Sequence, residues 1–333
     1  MTQKTLDAAP IILEAVRASK NILLHCHPSP DPDSVCSALA MKSALEQLGK
    51  QATIISGDSN IPAAFSHFPG FSSILQKSIG EIDLAAYDLF IAQDSGSIGM
   101  VSRKTAVVFP PTMKVVVIDH HATNTGYGHI NLVDAAYPAV AQMLSDIFSV
   151  WGIVMNQEIA SNLMIGLFTD TGGFRYGAMP SETFACAAEL VKHVPNFNQL
   201  ISTMENSNTP DTLIFQALAL SSIETHFGGN LAISAVPYSA IKSKGIDIQA
   251  ISGAVIANLL KSVIGWNVAV SLVEEEPNKV KLSFRTRDAA KFDVSKIAVK
   301  VGGGGHKAAA GALIEAPFEE AKKRVIDAAG QSM

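Results

Sequence analysis

Eight side chains able to hold a cation or carry a proton fall into four short clusters of this 333-residue chain. The densest is His27-Pro28-Ser29-Pro30-Asp31-Pro32-Asp33-Ser34, with one imidazole and two carboxylates. The others are Asp94-Ser95-Gly96-Ser97, Asp119-His120-His121 and Thr169-Asp170-Thr171-Gly172-Gly173-Phe174-Arg175-Tyr176. Five carboxylates aimed at one crevice repel one another and hold protons to raised pH unless a cation sits among them. Oxygen and imidazole donors without a thiolate suit Mn²⁺ or Mg²⁺ better than structural Zn²⁺. Two such ions about 3.5–4 Å apart, bridged by one carboxylate, make a hydrolytic centre for phosphate esters.

Taken singly these residues say little. A strand-end Asp such as Asp94 or Asp170 is usually a helix cap, and His25, His67, His129, His193 and His226 read as structural. Cys26, Cys36 and Cys186 lack the spacing of a redox or zinc site and read as small buried hydrophobes. The weight lies in the combination, with each cluster ending a strand or helix. A second group lies near the C-terminus. Gly302-Gly303-Gly304-Gly305 precedes His306, and four glycines can expose backbone N–H groups to an anion. Arg285 and Arg287 flank Thr286 on a predicted strand, where alternation is expected to leave one of them on the ligand side. An arginine there, or Arg175 beside Asp170, could grip a phosphate or carboxylate.

The elements needed to position these groups are legible. Apolar runs at 21–25, 52–55, 89–93 and 114–118 read as buried strands. Helical spacing covers 6–19, 33–49, 140–151, 157–168 and 181–193. Strands alternating with helices predict an α/β fold with a doubly wound, mostly parallel sheet, which binds ligands at the C-terminal ends of its strands. The pattern shifts near Val194-Pro195-Asn196-Phe197. Strands at 230–236, 266–272 and 279–285, then helices at 294–299 and 319–329, predict a smaller mixed α/β domain. The expected organisation is a first domain over 1–194, a linker helix region over 195–226 and a second domain over 227–333, with a cleft between the domains.

Bulk composition narrows the function classes. Charged residues are 17% and the net charge is −5, so no global basic footprint for long duplex nucleic acid is present. Three cysteines fit a reducing compartment. No secretory signal core and no run of 18 apolar residues appears, so a cytoplasmic protein without a membrane partner is expected.

The four clusters together, followed by Gly302-Gly303-Gly304-Gly305-His306-Lys307-Ala308-Ala309-Ala310-Gly311, resemble the DHH phosphoesterase superfamily across almost the whole chain. That superfamily includes RecJ-type nucleases, nanoRNase/pAp phosphatases and family II inorganic pyrophosphatases. The resemblance implies two Mn²⁺ ions, with Mg²⁺ or Co²⁺ as substitutes. It implies His27 and Asp31 on one ion, Asp33 and His120 on the other, Asp94 as the bridge and Asp170 completing the set. Asp119 would orient the site and His121 would face the scissile phosphate. Arg285, Arg175 and the Gly303, Gly304, Gly305, His306 loop would hold the substrate. The segment Asp33-Ser34-Val35-Cys36-Ser37-Ala38 is closer to the pyrophosphatase version of the first motif. The second domain lacks the Ser-Arg-Lys-Lys-Gln stretch of those enzymes and carries Gly-Gly-Gly-Gly-His. The expected function is therefore hydrolysis of short nucleotidic phosphoesters: nanoRNA, pApA, a cyclic dinucleotide or pAp. An inorganic pyrophosphatase and a nucleotide-binding protein without catalysis are the alternatives. A homodimer is expected from similar proteins.

Overall fold

The run Asn21-Ile22-Leu23-Leu24-His25 has no polar side chain between its ends, which only a strand covered on both faces can use. In a computed structural model it is β1 (Asn21–His25), inside a parallel sheet with β2 (Gln51–Ile55), β3 (Ile74–Leu75), β4 (Leu89–Gln93), β5 (Lys114–Asp119) and β6 (Ile130–Val133). The structure describes residues 1–176, 179–206, 208–248 and 251–332; Ser207, within the expected linker, lies outside them, as does Met333 at the end of the expected second domain.

The strand order β3-β2-β1-β4-β5-β6 reverses direction between β1 and β4. A crevice opens at such a switch point, beyond the carboxyl ends of the two strands, and the loops leaving β1 and β4 carry His27 and Asp94. Helices α1 (Gln3–Ala18), α2 (Pro32–Gln47), α3 (Val140–Trp151) and α4 (Gln157–Asp170) cover one face of the sheet, on Ile22, Leu24, Ile91, Val116 and Ile118. The opposite face, with Leu23, Phe90, Ala92, Val115 and Val117, is covered by side chains from short 3-10 turns and loops, among them Ile79, Val101 and Met113. Helices α5 (Ser181–Val191) and α6 (Phe197–Glu205) follow. Strands β3 and β6 escape the sequence pattern because one has two residues and the other mixes Asn131 among three apolar positions.

The chain divides into compact units Met1–Ser207 and Asn208–Met333. The second holds α7 (Pro210–Ser221), β7 (Ile223–His226), β8 (Leu231–Val236), α8 (Tyr238–Ser243), α9 (Gly253–Lys261), β9 (Val268–Glu276), β10 (Lys279–Thr286), α10 (Val294–Lys300), β11 (Gly304–Gly305), β12 (Ala309–Glu315) and α11 (Phe318–Gly330). Its mixed sheet has the order β11-β12-β10-β9-β8-β7, with the β8–β9 pair parallel and the other four pairs among the described residues antiparallel. Among the described residues no helix is long and apolar enough to cross a membrane.

Candidate metal centre

Each cluster reaches the crevice for a local reason. Pro32 at the first position of α2 fixes the start of that helix, and the Asp31 side chain caps it by accepting the Ser34 N–H at 2.9 Å. Asp33 then points inward and is 1% exposed. Its Oδ2 accepts the Val140 N–H at 2.7 Å and its Oδ1 the Ala141 N–H at 3.1 Å. Ala139, the residue before helix α3, offers no capping side chain, so Asp33 caps that helix from a different element. Helix α4 can approach because Gly166 has no side chain there: a Cβ would lie 2.5 Å from Asp33 Oδ1.

Asp94 stands at the centre. It adopts a left-handed φ of 52° just past β4, a region that Asp tolerates better than most residues. It is 2% exposed, and its Oδ1 has no hydrogen-bond partner among the described residues. His27 Nε2 lies 3.4 Å from Asp94 Oδ2 and 3.5 Å from Asp31 Oδ2. His120 Nε2 lies 3.6 Å from Asp94 Oδ1 and 3.4 Å from Asp170 Oδ2. His120 Nδ1 is 3.2 Å from the Tyr137 carbonyl. Donation to that carbonyl fixes the tautomer and leaves the Nε2 lone pair facing the carboxylates.

Asp119 does different work. It is fully buried, and its two oxygens accept from His121 Nδ1 at 2.8 Å and Asn124 Nδ2 at 2.6 Å. His121 is thereby held with Nδ1 as donor and Nε2 left over. Among the described residues, three sets of donor atoms come within 4.8 Å of one another: His27, Asp31 and Asp94; Asp33, His120 and Asp170; Asp94, His120 and His121. The structure therefore brings together His27, Asp31, Asp33, Asp94, His120, His121 and Asp170, with Asp119 behind them.

The electrostatics fit a cation site. Burial works against charge on His27, yet hydrogen bonding to Asp31 and Asp94 holds it protonated up to about 10. The bond to Asp119 raises His121 to about 9. Burial and then the Asp94 charge push Asp170 up to about 8 and raise Asp33 as well. The metal-free cluster offsets its own carboxylates with protons, which an entering divalent cation displaces. An orphaned buried carboxylate oxygen among oxygen and imidazole donors is what a hard divalent ion would satisfy. A divalent cation at a hundredfold its dissociation constant is expected to add about 2.7 kcal/mol of stability, roughly 5–10 °C in Tm for a unit of this size. Thermal unfolding with Mn²⁺ and with a chelator measures it, and coincident curves would contradict the site.

Arg175 is exposed, and its Nε donates to the Gly172 carbonyl at 2.5 Å, two residues beyond Asp170. In the second unit, Arg285 Nε donates to Asn258 Oδ1 of α9 at 3.2 Å. Arg287 lies past the end of β10 and its Nη1 donates to the carbonyls of Lys261, Ser262 and Val263. One arginine is thus withdrawn from ligand binding, but by capping a helix rather than by strand alternation: positions 285 and 287 are two apart and share a side in a strand.

The glycine run also differs from a free cradle. The N–H groups of Gly302 and Gly303 donate to Val299 and Ala298 carbonyls at 3.1 and 2.8 Å and close α10. Gly304 and Gly305 pair with Gly311 and Ala310 of β12. A Cβ on Gly303 would lie 2.2 Å from the Gly311 carbonyl oxygen, so that glycine serves close packing. His306 is exposed in the turn that follows, bonded through its backbone to Ala309.

The family model described as DHH family, N-terminal domain, matches residues 21–167, and the DHHA1 domain model matches residues 228–333. Over 325 residues the chain is 30% identical to the bifunctional oligoribonuclease and PAP phosphatase NrnA of Thermus thermophilus, covering 97% of this chain and 94% of that one. The protein of the same name from Bacillus subtilis is 25% identical, with 95% and 96% covered. An exopolyphosphatase-related protein from Bacteroides fragilis of solved structure shares the fold with a TM-score of 0.88 at 20% identity, covering 98% and 96% of the two chains.

Proposed function

The chain belongs to the DHH family, in its nanoRNase/pAp phosphatase type, and on that premise we propose that it is a two-metal hydrolase of short nucleotidic phosphoesters. The observation that carries the reading is the position of Asp94, whose two oxygens face His27 on one side and His120 on the other. In this reading His27, Asp31 and Asp94 hold one Mn²⁺, and Asp33, His120, Asp170 and the same Asp94 hold the second. When bound, such a pair lowers the pKa of water and offsets charge on the oxygens of the reacting phosphate.

The chain's own residues supply the rest. Asp33 is fixed by two N–H donors, so its carboxylate is positioned before any ligand arrives. His121, fixed through Nδ1, offers Nε2 to a phosphate oxygen. Arg175 is a phosphate contact of the first unit. Arg285, the Gly303-Gly304-Gly305 segment and His306 form the substrate-binding surface of a second domain over 227–333, and residues 1–194 form the catalytic domain. The names of the relatives, oligoribonuclease and PAP phosphatase, support short RNA and nucleotide bisphosphates as substrates.

Replacing Asp119 by Asn keeps the ligand set but loosens His121. Turnover is expected to fall about 10–100-fold while Mn²⁺ affinity stays near that of the parent. Steady-state kinetics with a calorimetric metal titration separates the two, and unchanged turnover would remove Asp119 from the mechanism. The function itself is tested with purified protein and Mn²⁺ against pApA, pAp, a cyclic dinucleotide and pyrophosphate. Hydrolysis of pApA and pAp without pyrophosphate turnover is expected. Pyrophosphate turnover alone would establish the pyrophosphatase alternative, and inertness toward all four would leave a nucleotide-binding protein.

A further inference from the structure

Beyond β2, the segment Gly57-Asp58 runs against the backbone that leads into His27. A Cβ on Gly57 would lie 2.3 Å from the Cys26 carbonyl oxygen, so only glycine permits this approach. Asp58 is 8% exposed. Ser102 Oγ donates to both its carboxylate oxygens at 2.9 and 3.1 Å, and the N–H groups of Arg103 and Lys104 donate to Oδ2 at 2.6 and 3.1 Å. Lys104 Nζ adds a bond to the Asp58 carbonyl at 2.6 Å. A carboxylate this buried needs such partners, and all of these come from one turn. The buried charge therefore fixes residues 102–104.

That turn delivers Arg103 to the metal loop. Its Nη1 donates to Ser29 Oγ at 3.2 Å and its Nη2 reaches Met100 Sδ at 3.4 Å. Ser29 lies between His27 and Asp31, with its backbone N 3.3 Å from His27 Nδ1. The guanidinium is thus separated from Asp94 by Ser29 and the His27 imidazole, outside the carboxylate cluster. It is exposed and makes no ion pair among the described residues. A guanidinium on an anchored turn beside an anionic crevice fits a phosphate, which it can bind through two parallel N–H donors.

We infer that Arg103, positioned by Asp58, binds a second phosphate of the substrate, adjacent to the one being cleaved. This rests on the nucleotidic phosphoesterase reading above and adds to it the requirement for a substrate with two phosphates. Nothing in Val101-Ser102-Arg103-Lys104 marks the residue in sequence; the signal is the spatial contact with Ser29.

Arg103→Ala, Arg103→Lys and Asp58→Asn are compared with the parent on pApA and ApA in Mn²⁺. Arg103→Ala is expected to raise KM for pApA at least about tenfold and to change KM for ApA less than twofold. Arg103→Lys recovers part of the loss, and Asp58→Asn follows Arg103→Ala in direction. A parent-like preference for pApA in Arg103→Ala overturns the inference, as does an equal loss on both substrates. If the parent hydrolyses neither, the functional reading fails and binding decides this one. Calorimetry with pAp and AMP then shows weakened pAp binding alone in Arg103→Ala if the inference holds, and unchanged pAp binding if it does not.

Discussion

Replacing Asp94 by Asn is expected to lower turnover by more than about a thousandfold while leaving the metal-free protein folded. The two effects separate because Asp94 plays opposing parts in the metal-free centre, pairing with His27 on one side and repelling its neighbouring carboxylates on the other. Its Oδ1 is buried without a hydrogen-bond partner among the described residues, and its charge pushes up both Asp170 and Asp33. Asn keeps the shape, removes the charge and accepts the left-handed backbone as readily as Asp. Asp94→Ala instead adds backbone strain of about 1–2 kcal/mol at φ 52°. Steady-state kinetics and thermal unfolding in chelator measure the pair of effects. The stabilisation by Mn²⁺ should fall sharply in Asp94→Asn. Activity within tenfold of the parent would show that Asp94 is not the shared ligand.

Gly166→Ala tests how the centre is built. In most helix interiors this change gains about 1 kcal/mol. Here the added Cβ would lie 2.5 Å from Asp33 Oδ1 and 3.0 Å from Ala141 Cβ. Either α4 retreats or Asp33 leaves the Val140 and Ala141 N–H groups. Overpacking of this kind costs about 1–3 kcal/mol, and the lost charge-assisted bonds about as much again. A net loss of about 2 kcal/mol is therefore expected, with at least tenfold lower turnover. Denaturant unfolding and kinetics on the same preparation read both. A Gly166→Ala protein as stable as the parent would mean that α4 does not press on Asp33.

The sequence exposed the centre because its residues are chemically unusual and end regular elements. His27, Asp94 and Asp119 each follow or close a run of buried apolar residues, and the reversal of strand order between β1 and β4 places two of those ends side by side. What stayed hidden depends on contacts between distant segments. Asp33 was readable as a ligand but not as the cap of α3, although the lack of a capping side chain at Ala139 is a trace of it. Gly166 carries no local signal, because its constraint comes from a carboxylate 133 positions away along the chain. The glycine run suggested free N–H groups, whereas two of them close α10 and the next two residues form an edge strand. Strand β12 was obscured because Ala309, Ala310, Gly311 and Ala312 give almost no hydrophobic contrast. Arg103 had no pattern at all; a buried Asp58 and a contact with Ser29 single it out.

Anomalous diffraction from crystals grown with Mn²⁺ tests the central claim most directly. Two peaks are predicted on either side of Asp94, one touching His27 and Asp31, the other Asp33, His120 and Asp170. A single peak, or peaks that leave Asp94 without contact, would contradict the account.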